Sequence, residues 1–343
     1  MSIHDDNKAL LEPLRAALRS GKPARVRWSL EKTVRKDARI RLGYPFEDMR
    51  GYTGLWNGAY APLFEVMPDM ERNEFIVMAG ARWGEGQSGN WVGLAGNAVG
   101  TLVKPWLGIP AINRPVFMRY HEYYLVEGDG IAEMTGLWDI PQVMLQAGVW
   151  PMAPQIGVEW MCPGPANGLG VIGEPHDADK AAQSVQAVLD MLNDLKQGDA
   201  QNPDRGLAGY WHPNCSWYGP AGIGTARGHG GIRDSVLKGF RRGLSDNVRA
   251  LDKGVFFGDH DFVAFCGWPS GTATHSGDGF LGLAPTGRSF TRRSLDFWRM
   301  EDGLVRENWV MVDMLDLYRQ LGIDVFARMA ALCGNSDQQV LCA

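Results

Sequence analysis

Residues 293–322 read RSLDFWRMEDGLVRENWVMVDMLDLYRQLG, and this stretch decides the fold. A Glu-Asp-Gly turn at 301–303 separates two apolar runs, which is the pattern of a β-hairpin. Side chains in the second run repeat every two residues, as they do in a strand. Helical spacing follows and stops at Gly322. The stretch therefore predicts a strand, a turn, a second strand and a helix, with Asp313 where the last strand becomes the helix.

The same pattern occurs earlier, in residues 119–148, which read RYHEYYLVEGDGIAEMTGLWDIPQVMLQAG. Four pairs of identical residues lie 174 positions apart: Glu133 with Glu307, Asp139 with Asp313, Gln146 with Gln320 and Gly148 with Gly322. Three pairs nearer the start of each copy lie 177 positions apart: Gly51 with Gly228, Gly54 with Gly231 and Asp69 with Asp246. A shortening of the loop at 84–89 in the second copy would explain the change of separation. We interpret the chain as two tandem copies of one domain.

The length and the order of elements predict the domain organisation. With 343 residues the chain suits two domains of about 150 residues each. We expect a first domain at 1–150, a connector at 151–175 and a second domain at 176–343. In each copy, predicted helices precede four long antiparallel strands, which indicates an α+β architecture. The connector is rich in glycine, proline and apolar residues, so we expect it to pack rather than to act as a free linker.

Composition excludes several classes of function. The net charge of −5 and the pI of about 5.8 argue against nucleic acid as a partner. No signal peptide and no membrane-spanning run is present, so we expect a cytoplasmic protein with no membrane partner. The five cysteines are Cys162, Cys215, Cys266, Cys333 and Cys342. Their odd number and scattered positions argue against a disulfide framework. They lack CxxC spacing and the histidines lack HxxxH spacing, so we expect neither a metal nor a cofactor.

Four motifs in the second copy carry a resemblance to a known family. They are GHGG at 228–231 before a helix, PTGR at 285–288, EDG at 301–303, and the run from ENW at 307–309 through Asp313 to QLG at 320–322. The copy resembles the SnoaL-like polyketide cyclases of the nuclear transport factor 2-like superfamily over about 205–322. Residues 30–148 look like a diverged sibling, with Thr101 where the second copy has His275. The resemblance implies two tandem cone-shaped curved-sheet barrels, each with N-terminal helices, a mostly antiparallel sheet and an internal pocket.

The resemblance also implies where the chemistry lies. In the cyclases an Asp at the end of the last strand is the acid/base of an intramolecular aldol ring closure, and by position this role falls on Asp313. An Asp at such a junction is also a good helix N-cap, so a purely structural role stays open. A cavity that handles an enolate needs hydrogen-bond donors, for which His275 and His229 are candidates or, alternatively, ordinary structural histidines. The predicted pocket residues are Trp309, Met311, Trp217, His212, Arg288 and Asp139.

Two classes of function remain open at this point. The first is an enzyme of the polyketide cyclase or ester cyclase type, acting on a small organic, polyketide- or ester-like substrate in the pocket of the second domain. The second is a non-catalytic ligand-binding or interaction protein with the same pocket. The more complete motifs predict that the second domain carries the chemistry and that the first has a structural role. A tandem chain can pair the outer faces of its two sheets internally as a pseudo-dimer, or pair them between chains as a homodimer.

Overall fold

The computed structural model describes residues 2–196, 205–244 and 246–334. We call residues 2–148 the N-terminal half and residues 178–334 the C-terminal half. Of the five cysteines, Cys342 lies outside the described residues, and no disulfide joins the other four. Within the described ranges, no helix is long and apolar enough to cross a lipid bilayer.

The N-terminal half begins with two helices and continues into a six-stranded sheet. Its elements are α1 (Ile3–Arg19), α2 (Pro23–Thr33), β1 (Val34–Leu42), β2 (Asp48–Arg50), α3 (Gly51–Leu55), α4 (Ala61–Val66), β3 (Glu71–Ala81), β4 (Asn90–Thr101), β5 (Pro115–Glu127), β6 (Gly130–Trp138) and α5 (Ile140–Gln146). A π-helical turn at Trp56–Tyr60 joins α3 to α4. A capping box of Ser2 and Asp5 starts α1, since each side chain satisfies a free backbone N–H of the other residue.

The C-terminal half repeats this order of elements. They are α6 (Ala178–Lys196), α7 (Arg205–Ala208), β7 (Trp211–Tyr218), β8 (Thr225–Arg227), α8 (Gly228–Ile232), α9 (Lys238–Gly243), β9 (Val248–Arg249), β10 (Val255–Asp259), β11 (Phe262–Thr274), β12 (Ser289–Glu301), β13 (Leu304–Val312), α10 (Met314–Gln320) and α11 (Val325–Gly334). A π-helical turn at Arg233–Leu237 again joins the two short helices after the second strand. The predicted helices and long strands are present, whereas the helices α2 and α7 and the short strands β2, β8 and β9 were not predicted.

The two sheets have the same topology. Their strand orders are β2-β1-β6-β5-β4-β3 and β8-β7-β13-β12-β11-β10, with β9 beside β11. The first and last long strands, β1 with β6 and β7 with β13, pair in parallel, and the other neighbours pair antiparallel. The predicted α+β class with mostly antiparallel sheets is confirmed. Among the described strands no pairing closes either sheet, so the two sheets are open rather than closed barrels.

Equivalent side chains make equivalent hydrogen bonds in the two halves. Asp69 caps the end of β4 by accepting from the backbone N–H and hydroxyl of Thr101, and Asp246 does the same for Thr274. Thr101 is thus matched by Thr274, 173 positions later, and not by His275 as expected. The expected match failed because the separation between equivalent residues is 173 at the end of this strand, whereas the 174 of the later strands was applied to it. Such shared contacts identify equivalent positions elsewhere in the halves.

A hydrophobic core between the two sheets holds them against each other, and it includes Tyr123, Leu295, Phe297, Trp309 and Met311. Tyr123 stacks on Phe297 with ring centroids 5.0 Å apart, and its hydroxyl donates to the Asp296 carbonyl at 2.7 Å. The Nδ1 of His121 makes a 2.8 Å contact with the Leu295 carbonyl. Burial of each large aromatic side chain contributes roughly 1.5–3 kcal/mol, so this contact stabilises the pairing of the halves substantially.

The connector packs against both halves, as expected. The Cys162 carbonyl accepts from the Asn97 amide in the N-terminal half. The Pro163 carbonyl accepts from the Trp309 indole in the C-terminal half at 3.0 Å, and the Ala166 N–H donates to Glu307. These bonds tie the connector to strands β4 and β13, which belong to different sheets.

Candidate functional site

The C-terminal half encloses a cavity of about 390 Å³ between its sheet and the helices that precede it. This volume lies in the range of small-molecule sites, roughly 300–1,000 Å³. Its walls are mostly apolar and its polar groups cluster on the sheet. The lining comprises Met191, Leu192, Leu207, Trp211, Trp217, Ile223, Ile232, Val236, Leu237, Phe240, Arg241, Leu244, Asn247, Arg249, Leu251, Phe265, Ser270, Arg292, Ser294, Asp296, Trp298, Asn308, Val310 and Val312.

Among the described residues, Asp296 is the one acidic residue in this lining. It lies on β12, where Leu295 and Phe297 point into the core between the sheets and Asp296 points the other way, because strand side chains alternate. One carboxyl oxygen, Oδ2, accepts from the Ser294 hydroxyl at 3.3 Å, and Oδ1 has no partner among the described residues. Burial raises the pKa of Asp296 to about 7, and the positive charge of Arg249 opposes the rise.

Two arginines lie in the same lining as this acid. Arg249 ends the short strand β9, and Arg292 lies on β12. Both are half-buried, since the cavity exposes part of each side chain while protein surrounds the rest. Burial lowers the pKa of both, for Arg292 to about 10 with a further contribution from Arg249, so both stay cationic at neutral pH. The Nε of Arg292 has no partner in the described part of the chain.

The equivalent space in the N-terminal half is filled by side chains. Arg72 and Glu122 form a bidentate ion pair there, with N–O distances of 2.8 and 2.9 Å. The Glu122 carboxylate also accepts from the Tyr124 hydroxyl at 2.6 Å and the Trp138 indole at 2.8 Å. The guanidinium of Arg72 lies 4.0 Å from the centre of the Tyr120 ring. This pair is almost fully enclosed, so the N-terminal half offers no comparable binding space around it.

The strand register matches these residues with the cavity lining of the C-terminal half. Arg72 pairs with Ala98 and Arg249 with Gly271, on equivalent strands. Tyr120 pairs with Trp138, and Ser294 pairs with Val312. Glu122 pairs with Gly136, and Asp296 pairs with Val310. The C-terminal half thus keeps the arginine and has an acid that is one carbon shorter. Ser294 and Val312 stand at the positions of Tyr120 and Trp138, and these smaller side chains leave space for the cavity.

Of the residues predicted for the pocket, Trp217 lines the cavity, whereas Asp313, the predicted acid/base, lies outside this lining. Asp313 lies between the halves: one carboxyl oxygen accepts from the Tyr44 N–H at 3.0 Å, and the other accepts from the Asp316 N–H at 3.2 Å as a helix N-cap. Arg293 pairs with it at 3.2 Å. Burial raises the pKa of Asp313 to about 6. Asp313 lies outside the cavity lining because the residues on the same face of β13, Trp309 and Met311, point into the contact between the sheets.

Asp139 mirrors this arrangement. It is buried at the start of α5 and accepts from the Ala221 N–H of the C-terminal half at 3.0 Å. Tyr44 and Ala221 are 177 positions apart, so each half reaches the equivalent loop of the other. Trp309 and Met311 also lie in the core between the sheets rather than in the cavity lining, which corrects their predicted place. Asp139, Asp313, Trp309 and Met311 thus contribute to the contact between the halves.

The predicted histidines and Arg288 also lie outside the cavity lining. His275 is buried beside Phe280, burial lowers its pKa, and its Nδ1 contacts Thr286. The Nε2 of His229 contacts the Trp211 carbonyl at 2.8 Å. His212 accepts from the Asn214 N–H in a local turn, and Arg288 is exposed. The catalytic roles predicted for His275, His229 and Asp313 remain untested predictions without support from these positions.

The sequence reasoning missed Asp296, Arg249 and Arg292. A usable signal was present, because Asp296 and Glu122 are both acids and lie 174 positions apart inside the repeated stretch. An acid in the middle of an otherwise buried strand is more unusual than one at its end. Within the described ranges, no group of three or more His, Cys, Asp or Glu side chains is arranged to hold a metal ion.

A family model and several solved structures each match part of this chain. The family model described as SnoaL-like polyketide cyclase matches residues 186–321. Similar solved structures include IdmH from Streptomyces antibioticus, at 23% identity over 41% of this chain and 96% of that one, with a TM-score of 0.33. They also include TsrD from Streptomyces laurentii, at 21% identity over 41% of this chain and 94% of that one, with a TM-score of 0.33. An NTF2-like protein from Burkholderia xenovorans LB400 matches at 20% identity over 41% of this chain and 97% of that one, with a TM-score of 0.33. No curated protein matches the chain significantly.

Proposed function

Because residues 186–321 form a SnoaL-like domain, we propose that the cavity of the C-terminal half is the active site of an enzyme that acts on a small organic carbonyl compound. Asp296 is its general acid and base. The observation that supports this proposal most is a buried aspartate in the cavity lining whose Oδ1 has no hydrogen-bond partner among the described residues. A polyketide- or ester-like substrate has the size and the carbonyl groups that such a site requires.

The chemistry proposed is an intramolecular aldol closure. The carboxylate of Asp296 removes a proton from a carbon next to a carbonyl group, and the electron pair moves onto that carbonyl oxygen as an enolate. Arg249 or Arg292 stabilises the developing negative charge, as oxyanion donors do. The enolate carbon then attacks a second carbonyl of the same molecule, and the protonated Asp296 returns its proton to the new alkoxide. A pKa near 7 suits a group that must both accept and donate a proton at neutral pH.

The test measures enolate formation without knowledge of the natural substrate. The protein is incubated with 2-tetralone in heavy water, and exchange of the hydrogens beside the carbonyl is followed by NMR. We expect the wild type to accelerate exchange, and Asp296→Asn to lose about 10²-fold or more of that acceleration. Asp313→Asn is the matched control and keeps most of the activity.

Two results would contradict the proposal. Equal exchange by wild type and Asp296→Asn would remove Asp296 from the chemistry. Binding of the ketone in the cavity with no acceleration of exchange would favour the alternative, a non-catalytic ligand-binding protein.

A further inference from the structure

The N-terminal half shows how this fold holds a carboxylate. The Glu122 carboxylate receives two hydrogen bonds from Arg72, one from Tyr124 and one from Trp138. Bidentate pairing of a guanidinium with a carboxylate is among the strongest hydrogen-bonded arrangements in proteins. The aromatic rings of Tyr60 and Tyr120 flank the same guanidinium at 5.2 and 4.0 Å. A carboxylate and aromatic rings thus occupy the space around this arginine.

The C-terminal half has the arginine without these partners. Arg249 stands at the position of Arg72, but the acid at the position of Glu122 is the shorter Asp296, whose Oδ1 has no partner among the described residues. Leu237, Ser294 and Val312 stand where the N-terminal half has Tyr60, Tyr120 and Trp138. The free space in the C-terminal half therefore corresponds to the space that a carboxylate and the neighbouring aromatic rings occupy in the N-terminal half.

The charge of the cavity is not balanced from within. Among the described residues of its lining, the charged ones are three arginines, Arg241, Arg249 and Arg292, and one acid, Asp296. Arg292 is an additional cation, because the N-terminal half has Met118 at the equivalent position on β5, 174 residues earlier. Partly buried cations without a counter-charge are costly, and an anionic ligand would remove that cost.

We propose that the cavity binds an aromatic carboxylic acid as its anion, with the carboxylate on Arg249 and Arg292 and the rings in the space that Tyr120 and Trp138 fill in the N-terminal half. The rings then lie near Trp211, Trp217 and Trp298, which belong to the same lining. This inference deepens the proposed function by naming the substrate class of the same site, and it rests on that function only in its claim that the ligand is a substrate.

The experiment compares two probes of the same shape, 2-naphthoate and the neutral 2-naphthamide, by calorimetry and by quenching of tryptophan fluorescence. We expect the anion to bind at least about tenfold more tightly, because a hydrogen bond to a charged group is stronger than one to a neutral group. Arg249→Gln and Arg292→Gln should each remove most of this preference for the anion. Arg288→Gln, an exposed arginine outside the cavity lining, is the control and should keep it.

Three results would overturn the inference. They are equal affinity for the two probes, absence of saturable binding by the anion, or an equal loss of preference in Arg288→Gln, which would indicate general surface attraction. Circular dichroism checks the folding of each variant, and a folded Arg292→Gln suffices if Arg249→Gln does not fold. The test is independent of catalysis, because 2-naphthoate has no exchangeable hydrogen beside a carbonyl and 2-tetralone has no carboxylate.

Discussion

The interiors of the two halves differ although their topology is the same. In the N-terminal half, Arg72 and Glu122 form a bidentate pair, and aromatic side chains fill the surrounding space. In the C-terminal half, the arginine and the acid are kept at equivalent positions, the acid is shorter, and the space is a cavity of about 390 Å³. The comparison indicates that a few changes of side-chain size convert one interior into the other. The equivalent acid of the C-terminal half, Asp296, is the one to which the proposed function assigns the chemistry.

The largest expected effect concerns the filled interior. Glu122→Gln leaves the guanidinium of Arg72, about 1% exposed, without a counter-charge. Breaking such a pair from one side costs roughly 3–5 kcal/mol, so we expect a loss of that size in the free energy of unfolding, measured with urea. Glu133→Gln is the control, because its partner Arg41 is partly exposed and the loss should stay below about 1 kcal/mol. A loss for Glu122→Gln as small as that of the control would contradict the contrast between the halves.

The second prediction refills the cavity. Ser294→Tyr combined with Val312→Trp restores the aromatic residues of the N-terminal half at equivalent positions. We expect the double variant to lose about 10²-fold or more of its affinity for 2-naphthoate, because the ring space is taken. Thr291→Tyr, an exposed position on the same strand, is the control and should bind normally. Undiminished binding by a folded double variant would show that the ligand lies elsewhere.

A smaller effect is expected where the halves contact each other. Asp313→Ala removes the hydrogen bonds from Tyr44 and Asp316, and Asp139→Ala removes the bond from Ala221. We expect each to lower the free energy of unfolding by about 1–3 kcal/mol, with Asp313→Ala the larger because it also loses a helix cap. Ketone exchange by the folded variants should stay near the wild-type rate. Abolished exchange in either folded variant would give these acids a role in the chemistry.

The sequence predicted much of the fold, because its signals are local. Alternation, the EDG turn and the closing glycines predicted the long strands and their helices within a few residues, and the repeat predicted one architecture for both halves. The helix α2 was missed because its sequence, PARVRWSLEKT, has few apolar residues at helical spacing. The match of Thr101 with His275 failed because the separation of 174 that holds for the later strands was applied to a strand end where it is 173.

The candidate site was predicted less well, for a reason of geometry. The alternation of a strand shows which side chains share a face, but it does not show which face meets the other half. Once the sheets pair, the face that carries Trp309 and Met311 lies in their contact, and the opposite face of the neighbouring strand, with Asp296, faces the cavity. Arg249 could not be assigned from the sequence, since it reaches the cavity from a two-residue strand.

The pH dependence of 2-tetralone exchange tests the central claim, that Asp296 in the open interior is the catalytic acid and base. The base must be ionised to remove a proton, and burial raises the pKa of Asp296 to about 7. Exchange by the wild type should therefore rise through a single step centred near that pH and be lost below it. We predict that Asp296→Asn has no such step and that Asp313→Asn retains it. A step that survives in Asp296→Asn, or one that disappears in a folded Asp313→Asn, would contradict the account.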